Sequence, residues 1–187
     1  MHEFLIEHLV HVVAFATLIS RLGDIGTTFL VSPTLKVEAN PIARRLGWKY
    51  TFATAGLAFV PYYSIHGGIV VCSASFLAAA FNASEAMLAR FMGEEKYAAL
   101  SREAIRKMPI MLGLSLLCLP AFFLMTWALV ILVLFPDSST GWGFDIAMGI
   151  MLFGAGLLIL YPVRFFSERR SLNTEPTKRR SNVDFKV

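Results

Sequence analysis

Residues 5–31 read LIEHLVHVVAFATLISRLGDIGTTFLV, an apolar run that contains an arginine and an aspartate. At about 1.5 Å per residue in an α-helix, a run of this length can cross a bilayer with some tilt. Arg21 and Asp24 lie inside the run, and at a helix centre a charged side chain costs on the order of 3 kcal/mol on insertion scales. We therefore expect both charges to face a protein partner or a cavity.

The composition of the whole chain favours a membrane protein. Of its 187 residues, 56% are hydrophobic and 16% are charged, and the mean hydropathy is +0.62, which is too apolar for an ordinary soluble domain. Cys72 and Cys118 lie in different apolar segments and form no CxxC pattern, so neither a disulfide scaffold nor a cysteine zinc site is predicted. The N-terminus lacks a positive n-region, so the first apolar segment is expected to stay as a span.

The apolar runs predict an all-α, polytopic membrane helix bundle that occupies residues 1–166. Five transmembrane helices are predicted, at 5–31, 48–66, 69–92, 108–135 and 144–166. Gly67 and Gly68 are predicted to form the reversal between the second and third spans. The alternative is one kinked helix from Trp48 to Met92, which would overshoot any bilayer.

Two segments outside the predicted spans are polar. Residues 93–107, GEEKYAALSREAIRK, alternate in charge and keep a thin apolar face, which predicts an interfacial helix on the cytoplasmic side. The basic tail, residues 167–187, lacks apolar periodicity and is predicted to be disordered.

The distribution of basic residues predicts the orientation. All but one of the 17 Lys and Arg residues fall in or beside the two predicted inner loops and the tail, and the exception is Arg21. The positive-inside rule then places the N-terminus outside and the C-terminus in the cytoplasm of a prokaryotic plasma membrane. This topology accounts for the net charge of +4, so no nucleic-acid partner is predicted. The expected partner is the lipid bilayer, and a membrane-protein partner or a second copy of the chain stays open.

Depth relates the polar residues of the first and third predicted spans. Asp24 and Glu85 each lie seven residues before the cytoplasmic end of their span, so we expect them to meet. Two carboxylates with one arginine leave a surplus negative charge, which a proton, a metal ion or a cationic substrate would balance. The predicted ligand-binding set is Arg21, Asp24, Thr27, Thr28, Glu38, Asn40, Asn82 and Glu85.

Each of these assignments has a structural alternative. Arg21 could pair with Asp24 or Glu85 only to fasten helices together. Asn40, followed by Pro41, matches an N-cap and the first helical position equally well.

Two sets of residues are candidates for a divalent metal cofactor. Near the cytoplasmic face, oxygen ligands would suit magnesium, calcium or manganese, and the set is Asp24, Glu38 and Glu85. In the outer half, imidazoles would suit zinc or copper, and the set is His8, His11 and His66. The alternative for the histidines is a wet interface, and HLVH is not a zincin motif because HExxH is missing.

The stretch from residue 21 to residue 41, RLGDIGTTFLVSPTLKVEANP, carries a motif of spaced polar residues. Its members are Asp24, Thr27, Thr28, Glu38, Asn40 and Pro41. This pattern resembles that of small prokaryotic membrane proteins of the DUF5658-like type, whose first helix holds an Asp followed by a Thr pair and then Glu-x-Asn-Pro. The resemblance covers about twenty of the 187 residues. It implies a shared site and names no activity.

Three functions are open from the sequence. The first is an intramembrane polar pocket near the cytoplasmic face that binds a cation or small polar ligand, with transport as its extension. The second is an accessory or assembly subunit of a larger membrane complex. The third is a metal-dependent intramembrane hydrolase that uses Asp24 and Glu85 on a metal-bound water. No GxSxG, P-loop or GxGxxG motif occurs, so nucleophilic catalysis and nucleotide hydrolysis are not indicated and no catalytic residue is predicted.

Overall fold

The fold is that of a computed structural model, which describes residues 2–38, 40–137 and 141–174, with side chains over 8–38, 40–137 and 141–170. Within these ranges every regular element is a helix. In chain order they are α1 (His2–Val31), α2 (Pro41–Leu46), α3 (Trp48–Ala53), a 3₁₀ helix (Thr54–Tyr62), α4 (Ile65–Met92), α5 (Glu94–Lys107), α6 (Ile110–Leu134) and α7 (Gly143–Thr174).

Four helices are long and apolar enough to span a membrane. Their spanning parts are His8–Val31, Ile65–Met92, Ile110–Leu134 and Gly143–Arg170. Many of their large apolar side chains are exposed on the outside of the bundle, among them Phe15, Leu119 and Val133. An exposed apolar surface of this extent is expected where lipid replaces water as the solvent. The chain is therefore compatible with a multi-pass integral membrane protein.

Helices α1 and α4 pack together in the same direction. Near the start of α4, the hydroxyl of Thr17 donates a hydrogen bond to the carbonyl oxygen of Gly68 (3.3 Å). Towards the other end, Nδ2 of Asn82 donates to Oγ1 of Thr28 (2.9 Å). Because residue numbers rise together along both helices, α1 and α4 are parallel.

Helix α3 and the 3₁₀ helix, residues 48–62, form a return segment that runs back along α1. At one end, Nε1 of Trp48 donates to the carbonyl oxygen of Pro33 (2.9 Å). At the other end, the hydroxyl of Tyr62 is hydrogen-bonded to Nδ1 of His11 (3.0 Å). A 3₁₀ helix rises about 2.0 Å per residue, so the return segment extends roughly 27 Å. It brings the chain back to the end of α1 at which α4 begins.

The reversal into α4 lies at Tyr63 and Ser64, whereas the sequence predicted it at Gly67 and Gly68. Ser64 is the N-cap of α4, because its Oγ accepts a hydrogen bond from the backbone N of Gly67 (3.1 Å). A Cβ atom on Gly68 would lie 2.5 Å from Cγ of Pro61. These glycines therefore serve the close approach of the return segment to α4, and the serine cap makes the turn.

Two further boundaries differ from the sequence prediction. The second predicted span, 48–66, ends at Tyr62 as two short helices. Helix α7 continues to Thr174, so residues 167–174 of the predicted disordered tail are helical, and the rest of that tail, 175–187, lies outside the described residues. The extension is attached to α2, because the carboxylate of Glu168 forms an ion pair with Arg44 (3.2 Å).

Helix α7 is parallel to α4 and antiparallel to α6. Phe81 of α4 packs edge-to-face on Phe153 of α7, with ring centroids 5.4 Å apart. Phe165, late in α7, packs against Gly113 at the start of α6. Helix α5 contacts both α4 and α7. We name the end of the bundle where α5 lies the α5 end.

Glu94, the first residue of α5, fastens the loop that follows α1. Its Oε1 accepts hydrogen bonds from the hydroxyls of Ser32 (2.5 Å) and Thr34 (2.8 Å), and the backbone N of Thr34 donates to Oε2 (3.2 Å). Burial by itself would raise the pKa of Glu94, but the hydrogen bonds from Ser32, Thr34 and the backbone of Lys36 outweigh it and hold the pKa below its ordinary value. The folded loop is thus tied to the ionised form of this carboxyl.

Acidification should release this loop. A carboxyl whose pKa is lowered by folding stabilises the fold above its unfolded pKa, and the contribution is lost as the pH falls from about 4.5 through the lowered folded value. Trp48 reports on the loop, because its indole bonds the carbonyl of Pro33. We expect the fluorescence of Trp48, measured with Trp127 and Trp142 replaced by phenylalanine, to change over this acid range.

The control for this titration is a pair of substitutions on the same helix. Glu94→Gln should abolish the acid transition, whereas Glu103→Gln, at an exposed position, should retain it. An unchanged transition in the Glu94→Gln protein would mean that another group holds the loop.

Candidate functional site

The structure brings together four residues of the predicted ligand-binding set. Arg21 and Asp24 form an ion pair between Nη1 and Oδ2 (2.8 Å), one turn apart on α1. From α4, Nδ2 of Asn82 donates to Oδ1 of Asp24 (3.1 Å) and to Oγ1 of Thr28 (2.9 Å). We name this cluster of Arg21, Asp24, Thr28 and Asn82 the arginine network.

The arginine network also reaches the return segment. Nη1 of Arg21 donates to Oγ of Ser75 on α4 (3.3 Å), and Nη2 donates to Oγ1 of Thr54 in the 3₁₀ helix. Both carboxylate oxygens of Asp24 are occupied, and Nε of Arg21 is the buried atom of the network without a hydrogen-bond partner among the described residues. The network therefore joins α1, α4 and the return segment and leaves little free bonding capacity.

Three further predicted residues serve the local backbone. The hydroxyl of Thr27 donates to the carbonyl oxygens of Gly23 (2.8 Å) and Asp24 (3.1 Å) in its own helix. Oδ1 of Asn40 accepts from the backbone N of Ile42 (2.9 Å), which is the N-cap alternative for this residue. Oε1 of Glu38 accepts from the backbone N of Asn40 (2.9 Å). Glu38 and Asn40 thus shape the loop before α2, and Glu38 also interacts electrostatically with Asp24 and with Tyr161.

Glu85 has partners that differ from those of Asp24. It is hydrogen-bonded by the hydroxyl of Tyr97 on α5, and it interacts electrostatically with Tyr161 on α7. Asp24 is instead bonded to Asn82, which lies three residues before Glu85. Equal depth does not fix the direction of a side chain, since three residues along a helix turn the face by roughly 60°. Among the described residues, Asp24 and Glu85 therefore have different hydrogen-bond partners, and their predicted meeting stays a prediction.

Neither predicted metal set converges on one position. In the part of the chain that the structure describes, no three His, Cys, Asp or Glu side chains lie close enough together to hold an ion. This statement covers both predicted sets, Asp24, Glu38 and Glu85 in one and His8, His11 and His66 in the other.

Two of the outer histidines have protein partners at the opposite end of the bundle. His11 is hydrogen-bonded to the hydroxyl of Tyr62 (3.0 Å), with the two rings edge-to-face. Nδ1 of His66 lies 2.6 Å from Oδ2 of Asp145, which is buried at the start of α7. Both histidines therefore tie helices together at this end.

A cavity of about 430 Å³ lies at the α5 end, between α4, α5, α6 and α7. This volume is within the usual range of ligand pockets, roughly 300–1,000 Å³. Its polar lining consists chiefly of Glu85, Tyr97, Ser101, Tyr161 and Arg164. Its apolar lining includes Ile105, Met108, Leu116, Leu117, Pro120 and Phe165. We name this space the Glu85 cavity.

Polar groups of the Glu85 cavity can form further hydrogen bonds with a ligand. Burial and the adjacent carboxylate of Glu85 raise the pKa of Tyr97 to about 12, so its hydroxyl stays protonated and donates to Glu85. Nη2 of Arg164 donates to Oγ of Ser101 over a long 3.4 Å. Nε of Arg164 is buried without a hydrogen-bond partner among the described residues. A buried donor left unpaired costs about 1–3 kcal/mol, so an acceptor in the cavity would be stabilised there.

Sequence analysis found only one polar residue of this cavity, Glu85. Tyr97 and Ser101 recur four residues apart on α5, and Tyr161 and Arg164 three apart on α7, so each pair could have been placed on one helix face. No sequence signal showed that α5 folds over α7. The cavity depends on that contact.

No protein-family model, curated protein or solved structure matches the chain. The resemblance of residues 21–41 to the DUF5658-like type therefore stays a prediction. The function must be inferred from the geometry of the chain itself.

The arginine network should behave as one energetic unit. Asp24→Asn leaves the buried guanidinium of Arg21 without its counter-ion, since the two side chains are only 13% and 17% exposed. We expect the free energy of unfolding, measured with denaturant in mixed micelles, to fall by on the order of 3 kcal/mol. In the Asp24→Asn protein, Arg21→Gln should lower the free energy of unfolding by less than it does in the wild type, because neither charge is then left unpaired.

Thr27→Ala is the matched control, because its hydroxyl bonds only its own helix. It should change the free energy of unfolding by about 0.5 kcal/mol or less. Strict additivity of the Arg21 and Asp24 substitutions would contradict the proposed unit.

Proposed function

We propose that the protein is an integral membrane protein whose chain crosses the bilayer five times. The support is the parallel packing of α1 and α4, since two parallel spans require the chain between them to return across the membrane. The return segment lies along α1 for roughly 27 Å, close to the ∼30 Å thickness of the hydrocarbon core. Its 3₁₀ helix bonds its own backbone groups, as a segment in lipid must.

In this topology the α5 end faces the cytoplasm of a prokaryotic cell. The sequence has no Lys or Arg in the turn at 63–68, and its basic residues gather at the α5 end, which agrees with the positive-inside rule. Helix α5 buries Ala98 and Ile105 and exposes Arg102 and Arg106, as an interfacial helix would. The N-terminus is then outside.

Cysteine labelling tests the extra crossing. In a protein with Cys72 and Cys118 replaced by alanine, Arg45→Cys and Tyr63→Cys flank the return segment at exposed positions. On spheroplasts, a membrane-impermeant maleimide should label position 63 and leave position 45 unlabelled until the cells are lysed. Equal labelling of both positions before lysis would rule out a crossing between them.

Within this topology we infer that the protein binds a small ligand in the Glu85 cavity. The observation that carries the proposal is that two opposite charges, Glu85 and Arg164, and two tyrosines line one space of about 430 Å³. The predicted function, a polar pocket near the cytoplasmic face, is thereby kept. The binding residues change from Asp24 and its partners to Glu85, Tyr97, Tyr161 and Arg164. Transport would be an extension of the same binding step.

The other two functions have less support. In the accessory-subunit hypothesis Arg21 and its partners only fasten the bundle, and the contacts of the arginine network fit that role without indicating a partner. A hydrolase would need Asp24 and Glu85 on one water, but the two oxygens of Asp24 already accept hydrogen bonds from Arg21 and Asn82. The binding proposal uses groups that can still form hydrogen bonds, such as Nε of Arg164.

Analysis of co-purifying small molecules tests the binding proposal. The protein is extracted in mild detergent, and the compounds that remain bound are quantified by mass spectrometry. We expect one compound near equimolar amount, reduced at least tenfold in Arg164→Gln and in Glu85→Gln. The reason is that a charge-assisted hydrogen bond contributes about 1.5–3 kcal/mol, which is tenfold or more in affinity.

Exposed residues of α5 supply the matched controls. Arg106→Gln and Glu103→Gln remove the same charges outside the cavity and should retain the compound. If all four variants and the wild type carry the same compounds in the same amounts, the cavity is not the binding site.

A further inference from the structure

The side chains that line the Glu85 cavity include one carboxylate and one guanidinium. Glu85 comes from α4 and Arg164 from α7. The carboxylate of Glu85 receives a hydrogen bond from Tyr97, and Arg164 keeps a buried Nε–H without a partner among the described residues. A ligand that matches both groups carries an anion for Arg164 and a cation for Glu85.

The cavity is open to the outer surface of the bundle, because part of its lining is exposed. Helices α4 and α6 each pack extensively on α7 and have little contact with each other, so a cleft separates them. Three residues of the cavity lining are themselves exposed, Ser84 on α4, Ala104 on α5 and Leu116 on α6. In a bilayer this cleft faces lipid, so a lipid-soluble ligand can enter through it.

The apolar lining from α6 extends deeper along the bundle axis than Arg164 does. Gly113 lies level with Phe165, next to Arg164, because the two residues pack together. Pro120 follows Gly113 by seven residues and is therefore about 10 Å deeper along α6. The apolar lining of α6, Leu116, Leu117 and Pro120, thus extends from the level of Arg164 towards the middle of the bundle. A head group at Arg164 would leave its tail against these side chains.

We propose that the ligand of the Glu85 cavity is a zwitterionic phospholipid-type amphiphile, with its phosphate at Arg164 and Ser101, its ammonium at Glu85 and an acyl chain leaving between α4 and α6. This inference rests on the proposed function and adds the chemical class of the ligand. A phosphate without an ammonium would face the carboxylate of Glu85 uncompensated. A small zwitterion without a chain would leave the apolar lining unused. A bare divalent cation would meet one carboxylate and an opposing arginine.

Titration of the lipid-depleted, full-length protein tests the ligand class. The probes are short-chain phosphatidylethanolamine, short-chain phosphatidylglycerol and free phosphoethanolamine, and native mass spectrometry in detergent measures binding. We expect phosphatidylethanolamine to bind at least tenfold more tightly than either other probe, which separates the head-group charge from the acyl chain. Glu85→Gln should remove the preference over phosphatidylglycerol, whereas Arg164→Gln should weaken both lipids. Glu103→Gln and Arg106→Gln should match the wild type.

Two results would overturn the inference. One is equal affinity of the wild type for the two lipids, and the other is a preference that persists in Glu85→Gln. In either case the proposed function still stands if the co-purifying compound depends on Glu85 and Arg164, and the ligand is then of another class. If no co-purifying compound depends on these residues, the binding function itself fails. Binding of free phosphoethanolamine as tight as that of the lipid would remove the amphiphile from the proposal.

Discussion

The guanidinium of Arg21 has to find its partners inside the bundle, because lipid offers it none. It takes them from three segments: Asp24 on its own helix, Ser75 on α4 and Thr54 in the return segment. Meeting all three at once requires α4 and the return segment both to pack against α1 at the level of Arg21. One buried charge thereby sets the arrangement of the first part of the chain.

The second part of the fold is assembled around α7. Helix α4 packs on α7 in the same direction, and helix α6 packs on it in the opposite direction. Helix α5 connects α4 to α6 at one end of the bundle. Glu94 fixes where α5 begins by bonding the loop after α1, so the two parts of the chain meet there. The Glu85 cavity is the space left where α5 crosses α4 and α7.

Two carboxylates at similar depth thus have different tasks. Asp24 is bonded on both oxygens, to Arg21 and to Asn82, and its contribution is structural. Glu85 accepts a hydrogen bond from the hydroxyl of Tyr97 and lines the cavity together with Arg164. Buried polar groups that are fully bonded stabilise one fold, whereas groups with unspent capacity indicate a place for a ligand.

The sequence by itself determined the all-helical class, four of the five predicted apolar spans and the helix at 94–107. It offered the cap at Asn40 and the pairing of Arg21 with Asp24 as alternatives, which the structure selected. These features depend on local periodicity, chain length and spacing within one helix. Only the tertiary structure decided the reversal at Ser64, the different partners of Asp24 and Glu85, and the cavity with Tyr97, Tyr161 and Arg164. Those features depend on the direction in which each helix face points and on which helix lies opposite. The spacing of residues within one segment predicts neither of these.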